Sequence, residues 1–142
     1  MNRAVVSAII DTNILVSALG NEALLVLAVK QGLVRPYFSE EILDEYSIVL
    51  PRPKFAFHPD EIAALMDVLQ GQGDLVHPTP LRGSSPDPGD DKFIACALAA
   101  RVDFLVTGNK RDFPQNRVKP TKVVSAGELL DLLTLEIASW RR

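Results

Sequence analysis

Residues 4–13 read AVVSAIIDTN. The mostly apolar run from Ala4 to Ile10 is too short for a globular helix, and it stops at an acid. Short β-branched runs closed by turn residues read as strands. One with so little polar alternation reads as a strand buried on both faces, as in the middle of a parallel sheet. Asp11 then falls at the carboxyl end of that strand, where α/β sheets place their ligands. Thr12 or Asn13 is expected to cap the helix that follows. One acid after one strand is ordinarily a turn or capping residue. It acquires a functional meaning only if other acids converge on the same edge of the sheet.

The rest of the chain alternates helices and strands. A short helix is expected over residues 14–19, and a second over 22–31 with Gly32 as its C-cap signal. Residues 33–38 read as a strand, with Pro36 placing it near an edge or making its pairing irregular. Ser39 is an N-cap for a helix with Glu40 and Glu41 in its first turn. That helix carries Ile42, Leu43, Tyr46, Val49 and Leu50 on its apolar side. Residues 54–58 are a loop bearing Phe55 and Phe57. Pro59 suits the first turn of a helix over 59–70. Strands are expected over 74–78, 103–107 and 122–125, and apolar helices over 90–101 and 126–140. The Pro-, Gly- and Ser-dense stretch 79–89 is the segment expected to move most. Residues 108–120 form a polar loop with room for a short helical turn. This alternation predicts one α/β domain spanning 1–142, with a mostly parallel sheet of about five strands.

Bulk properties narrow the function. With 47% hydrophobic and 23% charged residues the chain has the balance of an ordinary soluble globular domain. No apolar run approaches the ~20 residues of a membrane span. Met1-Asn2-Arg3 leads directly into the first strand without a cleavage region, so no signal peptide is expected. A lone cysteine, Cys96, cannot form an internal disulfide, which suits a reducing cytoplasm; it reads as a small buried apolar residue. The net charge of −3 counts mildly against nucleic acid. Acids that hold metal ions, however, lower the formal charge while attracting phosphate through the metal.

Carboxylates recur at four places. Asp11 ends the first strand, and Glu45 lies about two turns into the third helix. Asp90 and Asp91 open the apolar helix after the mobile stretch, with Asp87 upstream. Asn109 and Asp112 follow the fourth strand in TGNKRDF. A strand order of 3-2-1-4-5 makes strands one and four neighbours where the winding reverses. Asp11 and the Thr107–Asn109 segment then lie side by side, within reach of the Asp91 and Glu45 helices. Carboxylates gathered in one cleft repel one another. Magnesium or manganese relieves that repulsion and suits oxygen ligands. The two histidines, His58 and His77, lack ligand spacing, which argues against zinc. Taken singly, Glu45 reads as a solvated helix acid, Asp90 as an N-cap, and Asp91 as a complement to the helix dipole. Trp140 reads as a packing or partner-contact residue.

Together, IIDTNILVSAL, EEILDEYSIVL and DPGDDKFIACALAARVDFLVTGNKRDFP span nearly the whole chain in an order that resembles the PIN-domain family. These are metal-dependent ribonucleases that include VapC-like toxins of prokaryotic toxin–antitoxin pairs. The resemblance implies a three-layer α/β/α sandwich. It implies Asp11, Glu45 and Asp91 as catalytic and Mg2+- or Mn2+-holding acids. Asn13, Asp90, Thr107, Asn109 and Asp112 would support them, and Lys92, Lys110 and Arg111 would engage RNA, with Arg52, Lys54 and Arg82 as further candidates. It also implies a cognate antitoxin, a homodimer and a cytoplasmic site of action, with no membrane. The family often has a fourth Asp where this chain has Asn109. That residue can offer a carbonyl oxygen but no charge, so weaker binding of a second metal is expected. Phe55 and Phe57 could stack on bases, although packing is the plainer expectation.

Two other functions fit parts of this pattern. A haloacid-dehalogenase-like phosphatase would use Asp11 as nucleophile, but it normally carries a second Asp two residues on, where this chain has Asn13. A catalytically weak or inactive PIN module would bind RNA or protein without metal-dependent cleavage. Nucleotide-binding readings lack both a Walker A motif and G-x-G-x-x-G.

Overall fold

The structure, a computed structural model, describes residues 6–20, 23–81 and 88–140. Five parallel strands form one sheet: β1 (Val6–Ile10), β2 (Val34–Phe38), β3 (Asp74–Leu75), β4 (Phe104–Val106) and β5 (Lys122–Val124). Their order is β3-β2-β1-β4-β5, which meets the condition for Asp11 and the Thr107–Asn109 segment to lie side by side. Winding runs from β1 outward through β2 to β3, then returns past β1 to β4 and β5. The switch point therefore lies between β1 and β4, which pair in register through Ile9 with Leu105 and Ile10 with Val106.

Helices α1 (Thr12–Gly20), α2 (Ala23–Lys30), α3 (Glu40–Val49), α4 (Pro59–Gln72), α5 (Asp91–Ala100), α6 (Gln115–Val118) and α7 (Ala126–Trp140) complete the sandwich. Helix α2 packs on β2 and touches α4 and α7, while α5 packs on β1 and β2 together with α6 and α3. Ala8, Ile9 and Ile10 are consecutive and all buried, which happens only when both faces of a strand are covered. Leu105 and Val106 repeat the pattern on β4. Cys96 lies in this core, and burial pushes its thiol up to about 12.

Local signals act as their chemistry dictates. Gly32 takes φ +78 after α2, a left-handed conformation that glycine adopts without strain. Ser39 caps α3, its Oγ accepting the Ile42 N–H at 3.2 Å. His58 and Glu61 close a capping box on α4. Among the described residues no single helix is long and apolar enough to cross a membrane.

Two expectations need correction. β3 has two residues rather than five, pairing only Tyr37 and Phe38 of β2. Beyond it Val76 still donates to the Phe38 carbonyl at 2.8 Å, but Pro78 and Pro80 have no N–H to continue a ladder. Pro36 lies in the strand next to the edge, opposite Ala8 of β1, and β3 begins only beyond it, opposite Tyr37, so the pairing of β2 is irregular there as a proline requires. Asp90 stands at the N-cap position of α5 but makes no capping hydrogen bond with its side chain. A 3-10 turn, Pro88–Asp90, runs straight into α5, so Asp90 has a helical backbone rather than the extended one a capping side chain needs. The expected mobile stretch falls largely outside the described residues, as do Arg82, Asp87 and the Trp140 side chain.

Gly73 joins α4 to β3 where the backbones crowd. A Cβ there would lie 2.3 Å from the Pro36 carbonyl oxygen and 2.7 Å from that of Leu69. Backbone cannot move aside cheaply, so Gly73→Ala is expected to lose roughly 1–3 kcal/mol in urea unfolding. An unchanged midpoint would show that β3 does not hold this close approach.

Candidate active site

The site is built where β1 and β4 end. The Asp11 N–H donates to the Val106 carbonyl at 2.9 Å, which pins the residue to the neighbouring strand. The Asp11 carbonyl in turn accepts the Ile14 N–H at 3.0 Å as α1 begins. This backbone bracket leaves the side chain pointing off the carboxyl edge, yet only 8% exposed. The Thr107 hydroxyl, wholly buried after β4, donates to Asp11 Oδ2 at 2.8 Å and accepts the Asn109 N–H at 3.0 Å.

Helix α3 delivers Glu45 to the same edge. Tyr46, the next residue, is buried and donates its hydroxyl to the Ile10 carbonyl at 2.5 Å, tying α3 to the last residue of β1. Burial, followed by the charge of Asp11, pushes the Tyr46 phenol well above its ordinary range, so it remains a donor. Glu45 is not a solvated helix acid: its Oε2 accepts the Thr12 hydroxyl, and its Oε1 meets Lys92 Nζ at 2.7 Å. Lys92 also donates to the Gly89 carbonyl at 2.6 Å. Asp91, the first residue of α5, is buried and lines a cavity of about 320 Å³ with Glu41, Pro78, Leu81 and Lys92.

The remaining sequence candidates divide. In the loop after β4, Asn109 Nδ2 donates to Asp112 Oδ2 at 2.9 Å, and the Asp112 charge is felt at Asp11. Of the two residues expected to support the first acid, Thr107 donates to it, while Asn13 lies exposed on α1. Lys92 is an internal ion-pair partner rather than an open phosphate contact. Lys110 pairs with Glu128, whose carboxyl is held down at about 2 chiefly by that lysine. Arg111 is exposed. Phe55 and Phe57 stack on each other, ring centroids 5.7 Å apart, and Phe57 lines a groove together with Pro51 and Ile62. Sequence reasoning saw Thr12 only as a cap and Tyr46 only as an apolar residue. The i, i+4 spacing of Ile42 and Tyr46 puts them on one buried face; that Tyr46 ends in a hydroxyl was the available signal for a partner there.

Electrostatically the site is strained toward positive charge. Burial is the largest influence on Asp11 and raises its pKa; the Thr107 hydrogen bond opposes it, and Glu45 and Asp112 raise it further. Among the described residues no three His, Cys, Asp or Glu side chains converge closely enough to enclose a metal ion by themselves. The donors present are carboxylate and hydroxyl oxygens, which fit a hard cation that keeps several waters and uses only a few protein ligands.

Residues 7–111 match the family model described as PIN domain. No protein of curated function matches the chain in sequence. Among solved structures, the fold is similar to a chain in the crystal structure of VapBC2 from Rickettsia felis bound to a DNA fragment from their promoter. That match has a TM-score of 0.51 at 16% identity and covers 82% of this chain and 96% of the other.

A raised Asp11 pKa has a defined sign. Below about pH 3.8 the folded and unfolded chains both hold the proton, and burial adds no electrostatic penalty. At neutral pH the unfolded chain is ionised freely and the folded one against resistance. Asp11→Asn, which keeps an acceptor for Thr107, is therefore expected to melt higher than wild type at pH 7 in EDTA. The difference should vanish as the pH falls toward 3.8. A lower melting point for the variant at pH 7 would contradict the electrostatic assignment.

Proposed function

Since the chain belongs to the PIN-domain family, we propose that it is a magnesium- or manganese-dependent endoribonuclease, the toxin of a prokaryotic toxin–antitoxin pair. The observation that carries this reading is the buried Asp11 at the switch point. Thr107 fixes its orientation, and Glu45 and Asp112 act on it through space. Such a carboxylate is stabilised by a cation, and Asp11, Glu45 and Asp91 would hold it directly or through water. A cation bound there would supply positive charge to a phosphodiester and lower the pKa of a water molecule.

The chain's own residues have separate tasks. Thr107 holds Asp11 Oδ2 and is itself held by the Asn109 N–H. Asn109 spends its amide N–H on Asp112, which leaves its side-chain carbonyl as an acceptor for a water. Arg111, with Lys110 when it leaves Glu128, would bind phosphates and position the strand without reading sequence. The partner reading is a cognate antitoxin, supported by likeness to a chain of the VapBC2 structure. A homodimer acting in the cytoplasm completes the proposal.

Incubation with a mixed single-stranded RNA pool and manganese or magnesium tests it. Cleavage is expected with either metal, none with EDTA, and a loss on the order of 100-fold or more in Asp11→Asn and Glu45→Gln. Thr107→Val, which removes only the orienting hydroxyl, is expected to lose about 10- to 100-fold. RNA binding without cleavage under all metal conditions would replace the enzyme reading with that of an inactive binding module.

A further inference from the structure

We propose that Lys92 is a built-in counter-cation that occupies Glu45 in the metal-free protein and weakens the affinity of the acidic site for a divalent cation. The inference rests on the metal-dependent reading above but concerns a regulatory property of the chain's own side chain.

Four observations lead to it. Lys92 Nζ is 2.7 Å from Glu45 Oε1, and the two side chains are only 18% and 25% exposed, so solvent and salt screen the pair poorly. Both Glu45 oxygens are engaged, one by this ammonium and the other by the Thr12 hydroxyl. A hydroxyl can turn and leave an oxygen to a cation, whereas an ammonium left in place repels it. The ammonium is also anchored: it donates to the Gly89 carbonyl at 2.6 Å and lies 5.8 Å from the centre of the buried Phe93 ring. Finally, Lys92 follows Asp91 directly and lines the same cavity.

Other cations near the cleft are placed differently. Arg52 borders the groove formed by Glu41, Asp44, Glu45 and Lys92 but is exposed. Lys110 is taken by Glu128. Lys92 is thus the cation bonded directly to a site carboxylate among the described residues. Its presence keeps the metal-free site from accumulating unbalanced negative charge, and it makes loading depend on free divalent cation rising high enough to displace it. Lys92 is a positioning residue in this account, acting through Glu45.

Calorimetric titration with manganese alone, without RNA, provides the test. Lys92→Gln and Lys92→Met, the latter keeping the apolar stem, are expected to bind manganese about tenfold more tightly than wild type or better. Lys92→Arg, which keeps the charge, should stay near wild type. In EDTA both neutral variants should melt below wild type, and manganese should raise their melting points more than it raises that of wild type. Equal or weaker manganese affinity in the neutral variants overturns the proposal while leaving the metal site standing, provided wild type binds and Asp11→Asn does not. An absence of manganese binding to wild type and to both neutral variants alike overturns both readings together. Failure of both neutral variants to fold even with manganese present also overturns it, because the cation is expected to replace the missing charge.

Discussion

The hydrogen bond from the buried Thr107 hydroxyl to Asp11 Oδ2 is the contact on which the site depends. It joins the ends of β1 and β4, the two strands between which the winding of the sheet reverses. At such a point the flanking crossovers depart in opposite directions and leave a crevice at the carboxyl edge. A carboxylate there is withdrawn from bulk water without being sealed from a ligand. The threonine solves an orientation problem. Its hydroxyl accepts the Asn109 N–H and so has its proton free to give to Asp11. One side chain thus links the backbone of the β4 loop to the acid at the end of β1.

Around that contact the chain sets charges against one another. Burial resists the charge on Asp11, and the charges of Glu45 and Asp112 add to that resistance. The opposing charge comes from Lys92 on Glu45, while hydroxyls of Thr12 and Thr107 supply neutral donors. Among the described residues every buried side-chain nitrogen and oxygen has a hydrogen-bond partner. The site is therefore satisfied in its polar contacts and still inclined electrostatically toward added positive charge. Tyr46 keeps the arrangement together mechanically. Its hydroxyl on the Ile10 carbonyl prevents α3, and with it Glu45, from drifting off the end of β1.

Much of this was readable in advance because it follows from local chemistry. A continuous apolar run ending in Asp-Thr-Asn places an acid at a strand end whatever the tertiary details. Ser39 before two glutamates and Gly32 after a leucine-rich segment mark helix ends for reasons internal to the backbone. What escaped the sequence depends on partners remote along the chain. Lys92 meets Glu45 across 47 positions, and the Thr12 hydroxyl meets the same residue across 33. Neither pairing has a local signature, so Lys92 read as a phosphate contact and Thr12 as a cap. The role of Asp90 failed for a different reason. Capping chemistry was present in the residue, but the preceding 3-10 turn had already given it a helical backbone. Likewise, β3 was overestimated because β propensity continues through Val76, while strand length is limited by prolines at 78 and 80 and by the end of β2.

The central claim is that the acids at the switch point form a site for a hard divalent cation centred on Asp11. A manganese-soaked crystal, measured for anomalous scattering, tests it most directly. The account predicts an anomalous peak beside Asp11 and Glu45, within about 2.5 Å of a carboxylate oxygen or of a water bound to one. A well-ordered crystal with manganese only at surface sites, or with Lys92 still on Glu45 and no ion beside Asp11, would contradict it.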